Sequence, residues 1–567
     1  MILLCCVFGL ILCTLSGFMR EFMNRQTGAA ILSVFVCSTL VWLLLGTPSS
    51  GINEANIFLV YARNFMDGHG FVYNVGSEQL EGFSSLLWML ICSFFYMMNR
   101  AVEVPLFLLN LLFGIITVYA CLKRCNQKPT FLVLFCSVPA WFAWCQIALE
   151  ESGLWCLLLT LSILAVSERR TSQSAWLLPL LALTRPESML WGCWLILILF
   201  LGLGLDRGWR AGLRAVFRPA FTFGMVWATL ALFRGHYFGN LLPSSSFTKA
   251  LHGLQVNMGA GVFYLLGYLF SNPVVLLVVL VFGWACGREI VRKRGLSRAL
   301  AVGLCLIPAL GIPLMVGDEK FRAFRYYQPI WPLLCLVSAW AMPLLYERLS
   351  KLFRWLAPVS LLLVGWVIFT LTANLKHEFR MAGKGREQGA VLARMFEGHA
   401  SLPSVAMTTA AGCKYIYSGE VYDLKELTVA KDHMPGGERG VESQTTFNRE
   451  VFHEWSPDIL IRSESDPSDR YVIQGLQSEL RFRERYIKGE LWYNDEIFFA
   501  YFSRRFINGL EEGHYAFNQD LQYALNMEDW QESSVAFPGE VRRPNHRTTH
   551  SSGFNLYQTP LRLYQQE

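Results

Sequence analysis

The feature that most limits what this chain can become is a succession of long apolar blocks, nearly free of charge, that ends at about residue 372. They occupy 29–46, 83–98, 104–122, 130–149, 154–166, 189–205, 220–233, 262–286, 299–316, 328–346 and 355–372. A bilayer core takes roughly 20 apolar residues per spanning helix, or about 17 if the helix stands upright. Inside lipid every backbone polar group must be satisfied without water, so such blocks fold as helices. Composition agrees, with 53% of the 567 residues hydrophobic and 16% charged, against about 25% charged in soluble domains. The expectation is a polytopic α-helical membrane protein of roughly 11–13 transmembrane helices. A membrane part, 1–373, carries an outer loop at 47–82, and a soluble mixed α/β part follows at 374–567. The opening run, 1–18, reads as one more span or an extended N-terminus, because it lacks the basic start of a secretory signal. The run 175–183 is too short to cross and is expected to join its neighbour around Pro186.

Lys and Arg near span ends stay in the cytoplasm. Arg20, Arg25, Arg169, Arg170 and the basic stretches 207–218, 288–298 and 348–354 mark that side. They leave 47–82, 234–260, 317–327 and everything after 374 outside, in the periplasm if the membrane is an inner one. Lys123 and Lys128 also read as cytoplasmic, which requires 83–122 to cross an odd number of times although it holds two apolar blocks. One of the two is then re-entrant or lies along the interface. The net charge of +6 is accounted for by the basic loops, so no nucleic-acid partner is implied. Of the 15 Cys only Cys413 falls in the outer part, which argues for packing residues rather than a disulfide framework.

A transporter carries ionisable groups at mid-membrane, where they mark substrate paths. These blocks are clean, and the polar residues gather in the outer loops. That distribution favours an enzyme working at the outer face; a membrane-anchored binding or scaffolding protein also fits, and a transporter fits least. In the soluble part, 404–407 and 458–461 read as short strands. Val391, Leu392, Met395 and Phe396 share one face at helical spacing. The tail after Val541 reads as flexible.

The outer loops carry a string of motifs. The first holds Asn53-Glu54, Tyr61-Ala62-Arg63-Asn64, Gly68-His69-Gly70-Phe71-Val72-Tyr73-Asn74 and Glu81-Gly82-Phe83-Ser84-Ser85. Its glycines permit positive φ and a tight return of the chain. Further along come Leu149-Glu150-Glu151-Ser152-Gly153, Leu183-Thr184-Arg185-Pro186-Glu187, and Tyr237-Phe238-Gly239 leading to Leu241-Leu242-Pro243 and Lys249. The last are Gly317-Asp318 and Phe324-Arg325-Tyr326-Tyr327-Gln328-Pro329. In this order the motifs resemble the outer loops of GT-C fold glycosyltransferases, in the branch that includes the cell-wall arabinofuranosyltransferases. The resemblance covers most of the chain, is dense in the loops and becomes sparse after residue 430.

Such enzymes take a sugar from a polyprenyl-phosphate carrier and pass it to an acceptor outside the cytoplasm. The resemblance thus implies a polyprenyl-phosphate-linked sugar donor, such as an arabinofuranose donor, and an envelope glycan or glycoprotein acceptor, met among membrane lipids. The chemistry needs fixed cations for the phosphate and a carboxylate to take the acceptor's proton. The residues placed at donor phosphate or substrate are Arg63, Glu81, Glu150, Arg185, Lys249, Asp318, Arg325 and Tyr326; Lys320 and Arg322 are further outer cations. Each has an ordinary competitor: Arg63 pairing with Asp67, Arg185 pairing with Glu187, Lys249 and Arg325 anchoring at headgroups, Asp318 capping a helix, and Glu150 and above all Glu151 standing solvated in a loop. At the catalytic position the family's Asp pair is replaced by Asn53-Glu54. Either Glu54 acts as base, or Asp318 or Glu81 supplies the carboxylate, or activity is altered or lost. Glu54 is the reading adopted. A carboxylate pair would also suit a divalent cation, and Asn53 removes one charge from it.

Overall fold

The computed structural model describes residues 25–520, except 78, 240, 242–253, 292–295, 317–322, 347–350, 373–374, 400, 425–437, 440–445, 448, 463–472, 474 and 511–513. The run 1–18, Lys249, Asp318, Lys320, Arg322 and the tail after Val541 therefore lie outside the described residues. Up to residue 372 the described chain is helical. In order come α1 (Arg25–Leu44), α2 (Asn53–Met66), α3 (Leu86–Met98), α4 (Glu103–Leu122), α5 (Lys128–Cys136) and α6 (Pro139–Phe142), which runs into a wider turn at Ala143–Ile147. Then follow α7 (Ser152–Ser167), α8 (Thr171–Ala182), α9 (Ser188–Arg207), α10 (Trp209–Tyr237), α11 (Leu254–Ser271) and α12 (Pro273–Val291). The bundle closes with α13 (Arg298–Cys305), α14 (Pro308–Val316), a tight 3₁₀ turn at Arg325–Ile330, α15 (Trp331–Tyr346) and α16 (Lys351–Thr372).

Five of these helices are long and apolar enough to cross a bilayer, and up to seven do so if each of two bent pairs counts as one span. By length and composition alone the described residues thus show five to seven candidate spans against the expected 11–13, a count that leaves out helices shorter than 18 residues such as α7 and α8. Apolar length does not distinguish a straight crossing from a broken one. The block at 130–149 bends by 76° between Cys136 and Pro139, where the Pro has no N–H to continue the ladder. The block at 299–316 divides at Pro308 into two short helices. Conversely, the block at 220–233 belongs to a 29-residue helix that begins at Trp209, so the basic stretch 207–218 is largely helix rather than loop.

Ion pairs sort the helix ends onto two faces. On one, Arg124 and Arg170 pair with Glu168, Arg169 pairs with Asp206, and Arg169 donates to the Leu296 carbonyl. On the other, Glu103 at the start of α4 pairs with Arg386, Glu151 before α7 with Arg185 after α8, and Arg234 near the end of α10 with Glu81. This second face carries the C-terminal part and is called the domain face here. α4, α7, α8, α9 and α10 thus run alternately between the two. α8 makes its own return between Arg170 and Arg185, so the run 175–183 does not join its neighbour. The conflict over 83–122 is resolved by α3. Its leading Ser84 donates to Glu151, and just past its far end the Arg100 carbonyl meets Tyr415 of the C-terminal part. Both ends lie on the domain face. α3 does not cross.

The C-terminal part begins with α17 (Lys376–Met395), a continuous 20-residue helix longer than its apolar stripe announces. A mixed six-stranded sheet follows: β1 (Val405–Met407), β2 (Val421–Asp423), β5 (Ile459–Leu460), β6 (Tyr486–Tyr493), β7 (Glu496–Ser503) and β8 (Tyr515–Gln519), in the order β2-β1-β5-β7-β6-β8. β3 (Glu438–Arg439) and β4 (Thr446–Phe447) form a separate pair. β1 lies parallel to β2 and β5, and the remaining pairs are antiparallel. Both expected strands are present. α18 (Ala410–Ile416) links β1 to β2 and packs on α17 and α2.

The arrangement predicts a labelling pattern. In membrane vesicles, cysteines introduced by Asn99→Cys and Glu490→Cys react with an impermeant maleimide from the same side, and Lys123→Cys reacts from the opposite side.

Candidate functional site

α2 begins where Gly51 adopts φ +63 against the Ala148 carbonyl, a position in which a Cβ would lie 2.7 Å from that oxygen. Asn53 and Glu54 fall in its first turn and are half-buried, and an acidic group there is favoured by the helix N-terminus. Beyond them, the polar residues of the first loop turn to the C-terminal part. The Asn53 side-chain oxygen accepts the Ala411 N–H at 3.2 Å. Asn56, fully buried, accepts from Arg386 at 2.7 Å and donates to the Ile52 carbonyl, while Arg386 also pairs with Glu103 and lies over the Tyr415 ring. Arg63 donates to the Tyr415 carbonyl at 2.8 Å and to that of Lys414 at 3.3 Å, holding the end of α18 rather than Asp67. Asn74 exchanges two hydrogen bonds with the Val421 backbone, at 3.0 and 3.1 Å, as a neighbouring strand residue would.

The loop between them is shaped by its glycines. Gly68 and Gly70 sit at φ +89 and +81, as the sequence implies, and a Cβ at Gly70 would lie 2.6 Å from the Tyr237 hydroxyl. That hydroxyl accepts the Phe71 N–H, and Asn64 donates to the carbonyls of Val72 and Tyr73. Within α18, burial pulls the Lys414 ammonium down to about 8, with Arg63 nearby adding to the effect; its Nζ donates to the Gly419 carbonyl.

Beneath the loop lies a second layer of buried charge. Glu81 takes a bidentate grip from Arg234 at 2.8–3.0 Å. Arg325 pairs with Glu150 at 2.8 Å and lies over the Trp144 ring. Arg185 pairs with Glu151 and with Glu187, each at 3.3 Å, and lies over the Trp155 ring. Ser84 and Ser152 donate to Glu151 and Glu150 respectively. Tyr326 packs against Trp155. The expected solvated pair at Glu150 and Glu151 is overturned, since these side chains are 1% and 2% exposed. They follow Leu149, held at φ +59, which turns the chain inward. Burial pushes the Glu150 carboxyl up to about 7 against the opposing pull of Arg325. Burial likewise raises Glu81 against Arg234.

The predicted positions therefore fall into two groups. Asn53, Glu54 and Arg63 lie along α2 under the C-terminal part. Glu81, Glu150, Arg185, Arg325 and Tyr326 lie in the charged layer, at buried ion pairs or packed against them. Lys249 and Asp318 are outside the described residues. Sequence reasoning missed Arg234, Arg386 and Glu103, because pairs separated by 153 and 283 residues leave no local signal. Among the described residues no group of three or more His, Cys, Asp or Glu side chains is placed to hold a metal ion.

No model of a known protein family matches the chain, and no curated protein matches it. Among solved structures it is similar to the archaeal oligosaccharyltransferase AglB from Archaeoglobus fulgidus, in complex with an inhibitory peptide and a dolichol-phosphate. The two share 10% identity, over 89% of this chain and 77% of that one, with a TM-score of 0.46. A likeness that loose decides neither fold nor function, and the functional reading rests on this chain's own residues.

Removing one partner of a buried pair leaves the other charge uncompensated, at a cost of about 3–5 kcal/mol. Glu81→Leu and Arg234→Met should each destabilise the bundle by that order in thermal unfolding, and the double substitution should recover most of the loss. Asn74→Ala removes two buried bonds that seat the C-terminal part and should cost about 1–3 kcal/mol, read as faster proteolysis between the two parts.

Proposed function

We propose that the chain is a membrane glycosyltransferase of the GT-C type. It transfers a sugar from a polyprenyl-phosphate donor to an envelope glycan or glycoprotein on the domain face, and a pentofuranose such as arabinofuranose is the sugar its motifs favour. The observation that carries this reading is convergence. Segments carrying the motifs at 81–85, 150–152, 185–187, 237–238 and 325–326 sit together on one face of the bundle, near the helix that bears Glu54. In the reaction the acceptor oxygen bonds to the anomeric carbon, the carbon–oxygen bond to phosphate breaks, and polyprenyl phosphate leaves with the electron pair. Glu54 takes the acceptor proton. Arg325 and Arg185 stabilise the leaving phosphate, for which the guanidinium fork is well matched. Arg325 is already paired with Glu150, so protonation of Glu150 would leave its charge to the phosphate.

A second reading, a non-catalytic protein that binds lipid-linked sugar or scaffolds glycan assembly, draws on the same site. Asn53 stands where the family has a carboxylate and accepts a backbone N–H, and Arg63, Arg185 and Arg325 all have protein partners.

Glu54→Gln separates the two. Loss of a general base lowers transfer by about 10²–10⁴-fold, so radiolabel passing from donor to acceptor should fall by that order while donor affinity holds. Transfer at the wild-type rate would remove Glu54 from the role. A wild-type protein that binds donor but transfers nothing would establish the second reading. Donor affinity should also weaken as pH rises through about 7, where Glu150 ionises and competes for Arg325. Glu150→Gln should flatten that profile in a binding titration.

A further inference from the structure

Between the bend at Pro139 and the turn that leads into Arg325 lies a cavity of about 380 Å³. Val138, Tyr268, Asn272, Phe324, Gln328 and Phe369 are among its lining residues. Two of them present buried polar atoms with no hydrogen-bond partner among the described residues, the Gln328 side-chain oxygen and the Tyr268 hydroxyl. Gln328 is 2% exposed and Tyr268 3%. The Gln328 amide nitrogen donates to the carbonyls of Ala323 and Phe324, at 2.7 and 3.4 Å. That identifies the oxygen as the end left over. Ala323 and Phe324 are both left-handed, at φ 57 and 54, a costly conformation for residues with a Cβ that persists where the surroundings hold it.

Buried polar atoms are paired in native proteins, and an unpaired one calls for an explanation. Here both atoms belong to residues that line the cavity. Filling it with water alone would take about a dozen molecules, each needing two to four polar partners. The described lining offers four polar side chains, Tyr268, Ser271, Asn272 and Gln328, among aromatic and aliphatic ones. None of the described lining residues is charged, so an anionic headgroup would enter uncompensated. Phe270, 71% exposed, stands at the rim and faces outward from the bundle. Ile368 and Phe369 near the end of α16 place the cavity toward the domain face.

We propose that this cavity binds an uncharged lipid with a free hydroxyl head. The hydroxyl donates to the Gln328 oxygen and accepts from Tyr268, and the chain lies along Phe270, Phe324 and Phe369. The site is distinct from the proposed phosphate site. Arg325 and Tyr326 face the buried carboxylates, whereas Phe324 and Gln328, on the same short stretch, face the cavity.

The test uses the full chain in lipid nanodiscs and photoreactive, alkyne-tagged probes of equal chain length: an isoprenoid alcohol, its monophosphate and a diacylglycerol. Crosslinked peptides are mapped by mass spectrometry. The alcohol or the diacylglycerol should label 268–275 and 323–328 at least about fivefold more than the phosphate, the scale of one hydrogen bond. Whichever of the two labels more strongly identifies the source of the hydroxyl. Tyr268→Phe, which keeps the ring, should lower labelling by about the same factor, and Val275→Trp, which fills the cavity, should abolish it. Equal labelling by the phosphate overturns the proposal. So does labelling undiminished in Tyr268→Phe, a variant that tests the site even where Val275→Trp fails to fold.

Discussion

A carboxylate buried at the end of an apolar helix bundle needs a guanidinium beside it, because an unpaired buried charge costs more than a paired one. Three such matches organise the domain face of this bundle. Glu81 with Arg234 ties the first loop to the end of α10. Glu151 with Arg185 ties the start of α7 to the connection between α8 and α9. Glu150 with Arg325 ties α7 to the 3₁₀ turn before α15. Segments far apart in the chain are brought to one place by charge neutralisation, on a scaffold whose helices are themselves held by apolar packing. The Trp144 and Trp155 rings under the guanidinium groups of Arg325 and Arg185 add attraction without adding charge.

The C-terminal part is seated on this face by hydrogen bonds as well as by the Glu103–Arg386 ion pair. Asn53, Asn56, Arg63 and Asn74 all reach residues between 386 and 421. Side-chain amides suit this, since each offers a donor and an acceptor and satisfies backbone groups that would otherwise be buried unpaired. The consequence for the proposed chemistry is geometric. Glu54 follows Asn53 in the first turn of α2, next to the residue that meets α18.

The 3₁₀ turn at Arg325–Ile330 and the residues just before it form a wall with two chemically different sides. One meets buried carboxylates and the other an uncharged cavity. The two left-handed residues before it, Ala323 and Phe324, are held by Gln328, so the orientation of Arg325 depends on contacts made on the cavity side. Such coupling through a strained turn is a local matter of backbone geometry and needs no long-range pathway.

Much of this was legible in the residues themselves. Apolar blocks without charge dictate helices in a bilayer, the loss of that pattern after residue 372 marks a change of architecture, and paired glycines around His69 dictate a tight turn. Basic flanks also sorted most helix ends onto the right faces relative to one another, because that rule acts on each loop separately. Tertiary structure alone decided the rest. Whether an apolar block crosses depends on where its ends are held, which for α3 is set by Glu151 and Tyr415. Whether Glu150 and Glu151 are solvated depends on guanidinium groups 175 and 34 residues away. Such partners are chosen by the packing of the bundle, and no local spacing along a chain can encode them.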